Sequence, residues 1–230
     1  MACRPVYIVS NNNDTFVEEI VVDFKWYSGF ATSQKQKSIQ SLHESCKHKY
    51  GEINILEISS KSLESLGVNL SAFNLMIHDR KKKLSYSVES AFQSSKVFEK
   101  GGPYKDLLMK SSIEAKKDDR LKSSGELIKF NIYNIEWPLE PKTLFYDWLY
   151  INALYKHKEY VEKIIQYDAF TDIEFNPNKS INCQAKSAAL FVSLYRRNLL
   201  ERALMSIEDY INIVTKKEKL DMYEQISLFN

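Results

Sequence analysis

Between Ser87 and Phe98 the chain offers four side chains that chemistry often needs close together: the carboxylate of Glu89, the ring of Phe92, the amide of Gln93 and the amine of Lys96. On a helix they fall at i, i+3, i+4 and i+7 and so share one face. Ala91, Ser94 and Ser95 between them are small and leave room for close approach. At about 1.5 Å of rise per residue, Glu89 and Lys96 would stand roughly 10 Å apart along the axis. They would then mark two ends of a cleft rather than pair. A solvated surface helix has the same periodicity, so the pattern alone does not define an active site.

The elements around this block read as a helix-rich α+β chain. Val6–Val9, Glu18–Tyr27, Ile53–Ile58 and Leu127–Tyr133 are short runs rich in β-branched and aromatic residues, as strands are. Helices are expected over Gln34–His48 with Ile39, Leu42 and Cys46 inward, and over Val88 to about Glu99, capped by Ser87 and stopped by Gly101-Gly102-Pro103. Further helices follow from Glu140-Pro141 to Tyr155, over Tyr160–Tyr167, over Ile181 to about Arg197 and over Leu199–Val214. After Gly67 the chain reads as helical, without a strand before Ser87. Asp147 reads as a surface residue of its helix.

With 230 residues, 44% hydrophobic and 13% aromatic, the chain can bury one sizeable core, and no Pro/Gly/Ser-rich linker divides it. A net charge of +2 makes it no general sponge for nucleic acid, though local phosphate contacts stay open. Three cysteines, Cys3, Cys46 and Cys183, suggest a reducing compartment rather than a disulfide framework. No stretch has the length of a signal-peptide core or a membrane span, so a soluble, cytoplasmic protein is expected. Six glycines form neither GxGxxG nor a phosphate loop. His43, Cys46 and His48 match no zinc spacing and read as an amphipathic helix with an exposed histidine. No metal or cofactor is called for.

The block Ser87–Phe98 resembles the signature helix of the NADAR family, Thr/Ser-Val-Glu-His-x-Phe/Tyr-Gln-x-x-Lys-Phe. Leu70-Ser71-Ala72-Phe73-Asn74 is similar to that family's Phe-Ser-Asn-Phe element, and Ser59–Ser62 with Gly67 to the stretch before it. Asp168-Ala169-Phe170 resembles its Asp-x-Tyr/Trp element, and Gln184–Arg196 its final helix. The likeness spans roughly Ile58 to Arg197. Trp26–Phe30, Trp137–Thr143 with Tyr146-Asp147-Trp148, and Phe170–Pro177 with Ser180–Ala185 resemble more narrowly the NADAR antitoxins that accompany a DarT-type DNA ADP-ribosyltransferase. There are departures: Ser90 stands where the family has His, Ala72 where it has Asn, Thr171 where it has Trp, and Asn182-Cys183-Gln184-Ala185 replaces Asn-x-Leu-Gly.

The resemblance implies an N-glycosidase that removes ADP-ribose from guanine in DNA, releasing ADP-ribose and opposing the transferase toxin. A nitrogen leaving group needs a proton, and Glu89 is the acid expected to supply it. The resemblance also implies a lysine that attacks the anomeric carbon of the opened sugar and forms a Schiff base; Lys61 is favoured over Lys96, with Lys35 a third candidate. Asp168 is expected to orient the sugar or assist proton transfer. Phe73, Phe92, Trp148 and Phe170 are expected to stack on base faces, worth about 1–3 kcal/mol per base; core packing explains Trp148 equally well. Ser71, Asn74, Gln93, Lys96, Asn182 and Gln184 complete the expected binding set. Arg80–Lys83 and Lys116-Lys117 with Arg120 and Lys122 are the clusters available for DNA phosphates.

On this reading residues 1–57 form an extension packed on the core, 58–197 the NADAR-like catalytic domain with an insertion from Gly101 to Trp137, and 198–230 a helical tail. Two alternatives remain. One is an N-glycosidase acting on a small ribosylamine such as a riboflavin-pathway intermediate, which the extension and insertion disfavour. The other is a non-catalytic antitoxin that binds its toxin directly, for which the tail would serve.

Overall fold

A computed structural model of the chain describes residues 2–10, 12, 14–80, 83–178 and 180–215. The first strands, β1 (Ala2–Val9) and β2 (Val17–Phe24), form an antiparallel hairpin, followed by α1 (Thr32–Tyr50) and β3 (Ile55–Glu57). Next come α2 (Ser65–Asn69), the hairpin of β4 (Met76–Asp79) and β5 (Leu84–Ser87), and α3 (Val88–Ser94), which runs into β6 (Lys96–Phe98). An arm with one 3-10 turn, α4 (Ser112–Lys117) and α5 (Arg120–Ser123) returns to β7 (Leu127–Ile132) and β8 (Ile135–Trp137). The remainder is α6 (Leu144–Tyr155), α7 (Lys158–Ile164), β9 (Ala169–Thr171), α8 (Gln184–Arg196) and α9 (Leu200–Met205), with 207–215 again helical.

The largest sheet has the order β2-β1-β9-β3, with β9 antiparallel to β1 and parallel to β3. The N-terminal strands therefore clasp a strand that arrives more than a hundred residues later. Side chains alternate across this sheet, as the two-residue period of a strand requires. Val6, Ile55 and Ala169 face α1, packing with Ile39, Leu42 and Cys46. Their neighbours Tyr7, Leu56 and Phe170 face the main core, which holds α8 and α6. Gly67 in α2 sits so close to β3 that an added Cβ would lie 1.9 Å from the Glu57 carbonyl oxygen, and this seats the Ser59–Ser62 turn.

α6 is apolar nearly all round because it is buried inside the molecule, and α8 is buried from Ser187 to Leu194. The expectation that Asp147 lies on the surface is corrected here. It is buried on α6 and accepts a 2.6 Å hydrogen bond from Ser187 Oγ on α8, and burial pushes its carboxyl up.

The helix-rich α+β class holds, with local corrections. The β4–β5 hairpin lies where the sequence reads as helical, because its strands are only four residues long and only β5, Leu84-Ser85-Tyr86-Ser87, alternates. The signature helix ends at Ser94 rather than near Glu99. Ser94 and Ser95 turn their hydroxyls back onto the carbonyls of Ala91 and Phe92, and the β-prone Val97 and Phe98 pair with β7 instead. α6 starts at Leu144, beyond Pro141. Among the described residues no helix is long and apolar enough to cross a membrane. Lys81, Lys82 and the tail past residue 215 lie outside the described residues.

Candidate active site

One cleft of about 1420 Å³ opens where α3, the Ser71–Leu75 turn, the inserted arm, β6–β7 and the loop after β9 meet. It brings together nine of the residues singled out above. Ser71, Phe73 and Asn74 come from the turn, Glu89, Phe92 and Gln93 from α3, Lys96 from β6, and Asn182 and Gln184 from the start of α8.

Local sequence sets the inner wall. Ser87 Oγ accepts the Ser90 amide as the N-cap of α3, and Val88 and Glu89 donate their amides to the carbonyls of Leu75 and Ala72. Gln184 ties three segments to this wall: Oε1 accepts the Ala72 amide at 2.6 Å, while Nε2 donates to Ile58 O at 2.7 Å and to Asp172 Oδ2 at 3.0 Å. Its amide is engaged on both ends, so it braces the site. Ser90, the departure from the family pattern, donates to Lys110 O at 3.1 Å and thereby receives the arm.

Glu89 is 5% exposed. Its Oε1 accepts from Gln93 Nε2 at 2.9 Å and lies 3.7 Å from Lys116 Nζ. Although Lys96 has left the helix, it reaches the same place: Nζ lies 4.8 Å from the Phe92 ring centroid, and burial lowers its amine to about 8 against the pull of Glu89. Gln93 Oε1, Asn182 Oδ1 and Ser71 Oγ are buried with no hydrogen-bond partner, and all three side chains line the cleft. Buried polar atoms are normally satisfied, so three orphans in one cleft point to a polar ligand. Phe92 stacks on Phe145, meets Tyr146 edge-on and lies tilted against Phe130, so most of its ring is packed on protein.

Five of the expected residues stand elsewhere. Phe170 is fully buried in β9, and Trp148 packs on Trp137 at a centroid distance of 4.9 Å; neither lines the cleft. Asp168 is half-exposed on the far side of β9, paired with Arg196 at 3.1 Å. Lys61 follows Ser59, whose Oγ accepts its amide, and its side chain is not part of the cleft wall, whereas neighbouring Ser60 is. Lys35 sits over Trp26 on α1 at 4.5 Å. Of the basic cluster in the arm, Arg120 is spent on Asp106 and Asp118, while Lys116 and Lys122 line the cleft.

Sequence reasoning passed over Asp172, Tyr146 and Lys142, which line the cleft, and Glu57 behind them. Glu57 accepts the Ile173 amide at 2.8 Å and the Thr171 hydroxyl at 2.6 Å, and Thr171 Oγ1 lies 2.8 Å from His43 Nε2. Burial pushes the carboxyls of Glu57 and Asp172 up, and the charge of Glu57 raises Asp172 further. On α1 His48 is the exposed histidine, while His43 is partly buried and burial lowers its imidazole to about 4. A charged residue in the centre of the apolar run Ile53–Ile58 was the available signal for Glu57. Among the described residues no group of three His, Cys, Asp or Glu could hold a metal ion.

An acid, an amide and a half-buried amine at the base of one open cleft make this an α+β protein with an acid–lysine site. The chain belongs to the NADAR antitoxins associated with DarT1: the model of that family matches residues 2–224. No curated protein matches the chain.

Proposed function

We propose that this antitoxin acts as an enzyme, cleaving the N-glycosidic bond between ADP-ribose and guanine in DNA and so reversing the transferase's product. The observation that carries this reading is the meeting of Glu89 with Lys96, an amine lowered to about 8, in a cleft holding three orphaned polar atoms. Attack on carbon requires a neutral amine, and a lysine lowered this far is neutral in useful amounts near pH 7 to 8. Lys96 thus replaces Lys61 as the favoured nucleophile.

In this scheme the Lys96 amine adds to the anomeric carbon of the ring-opened sugar. The carbon–nitrogen bond to guanine then breaks, and the two protons lost by the lysine nitrogen, one on addition and one on expulsion, reach the departing guanine amine by way of Glu89. Water adds to the resulting lysine imine, Glu89 again relaying the proton, and free ADP-ribose leaves with the amine restored. Gln93 holds the Glu89 carboxylate in place. Ser71 Oγ, Gln93 Oε1 and Asn182 Oδ1 carry unused hydrogen-bonding capacity, which suits sugar hydroxyls and the guanine edge. The volume of about 1420 Å³ exceeds the ~300–1,000 Å³ usual for small-molecule sites, which favours a base carried on a polymer over a small ribosylamine.

The test is incubation with guanine-ADP-ribosylated DNA, following release of ADP-ribose, with borohydride added to trap the imine. The trapped sugar is expected on Lys96. Trapping should increase as pH rises through about 8, because the amine is protonated below that value and neutral above it. A Lys96→Ala variant that still traps covalently would remove Lys96 from this role. Absence of ADP-ribose release from the intact protein would remove the glycosidase reading itself.

A further inference from the structure

Glu89 has a second cationic neighbour besides Lys96, and it comes from the inserted arm. Lys116 on α4 places Nζ 3.7 Å from Glu89 Oε1 and 5.0 Å from the centroid of Phe73. Two lysine–phenylalanine pairs, Lys96 on Phe92 and Lys116 on Phe73, therefore flank one carboxylate. The arm is not loosely apposed. Ser112 Oγ donates to the Phe73 carbonyl at 2.8 Å and lies 2.7 Å from Ser87 Oγ, while Ser90 donates to Lys110 O. A Ser111–Glu114 capping box starts α4 where Lys116 will face the cleft.

We propose that Lys116 is a positioning residue of this site, holding the Glu89 carboxylate so that the Lys96 amine stays free to act as a nucleophile. This rests on the reading of Lys96 given above. With Glu89 alone beside it, a lysine amine would be pinned as the ammonium partner of a salt bridge. Among the described residues Glu89 instead has its ion pair with Lys116, and Lys96 rests on an aromatic ring. The charged groups facing Lys96 are Glu89 on α3, which favours its proton, and Lys116 on α4, which disfavours it. Glu140 and Lys142 before α6, and Lys122 on α5, line the same cleft. Removing Lys116 strips away a repelling cation and releases the carboxylate, and both changes favour the protonated amine.

The experiment is amine-selective labelling of the full-length protein across pH 6 to 10, with the extent at Lys96 read by mass spectrometry in wild type, Lys116→Ala and Lys116→Arg. Wild type should reach half-labelling near pH 8. Lys116→Ala should move that midpoint upward, each half unit meaning about threefold less labelling at pH 7. Lys116→Arg should restore it, because the guanidinium keeps the charge. The proposal is overturned if the alanine variant keeps the wild-type midpoint, or if arginine shifts it as far as alanine does. Lys116 is largely exposed, so neither change threatens the fold. The labelling needs no substrate, so its outcome is independent of whether the protein releases ADP-ribose.

Discussion

The two walls of the cleft are held by different forces. On the inner wall, α3 is buried at every position and tied to the Ser71–Leu75 turn by backbone hydrogen bonds, with Gln184 as a three-way brace. On the outer wall, the arm carries exposed Met109, Ile113 and Lys116. Its own fold relies on a surface clasp: Arg120 reaches Asp106 and Asp118, lies over Tyr104 at 4.4 Å, and holds both carboxyls below their ordinary range. Burial makes the inner wall rigid and lets its charges act at low dielectric. The outer wall, partly in water, delivers a charge; it is anchored at Ser112 and Lys110, while its exposed ion pairs contribute little. On the proposed function, the groups that bond to the sugar and move the proton lie on the first, and the second supplies Lys116.

That contrast predicts a graded set of effects. Glu89→Gln, on the inner wall, should lower kcat for ADP-ribose release by about 10²–10⁴-fold, the usual worth of a positioned acid, with the fold intact because the amide still meets Gln93. An antitoxin that works by binding would instead still protect cells when it carries this change. Next in size, Gln184→Ala should destabilise the protein by about 1–3 kcal/mol in urea denaturation, because the buried Ala72 amide loses its acceptor. If stability were unchanged, the inner wall would not depend on this brace. Smallest is Arg120→Ala, for which little change in Tm is expected, but faster proteolytic nicking within the arm and a modest rise in KM. A loss of kcat comparable to that of Glu89→Gln would erase the distinction between the walls.

What could be read in advance follows the range of the interactions. The Glu89, Phe92 and Gln93 face was legible because its spacing is local, and the hydrogen bond from Gln93 to Glu89 is an i to i+4 contact. The strands β1, β3 and β7 were legible for the same reason, as short runs of β-branched and aromatic residues. The aromatic residues were not. Phe170 and Trp148 look the same in sequence as Phe73, yet two face the core and one faces the cleft. An apolar ring signals burial against something without saying whether that is protein or ligand. Lys96 was placed in the right cleft by the wrong geometry, since it arrives on a strand rather than on the seventh position of a helix.

The sequence by itself determined the α+β class, the acid and amide on α3, the family resemblance, and the candidacy of Lys96. Each of these is carried by short motifs, within which backbone geometry dictates which side chains share a face. Only the tertiary structure decided which lysine joins Glu89, that Asp168 stays outside while Asp172 enters, that Glu57 and His43 lie joined behind the wall, and that Lys116 closes over the acid. Those outcomes depend on segments far apart in the chain being packed against one core, and on which charges that packing leaves without water.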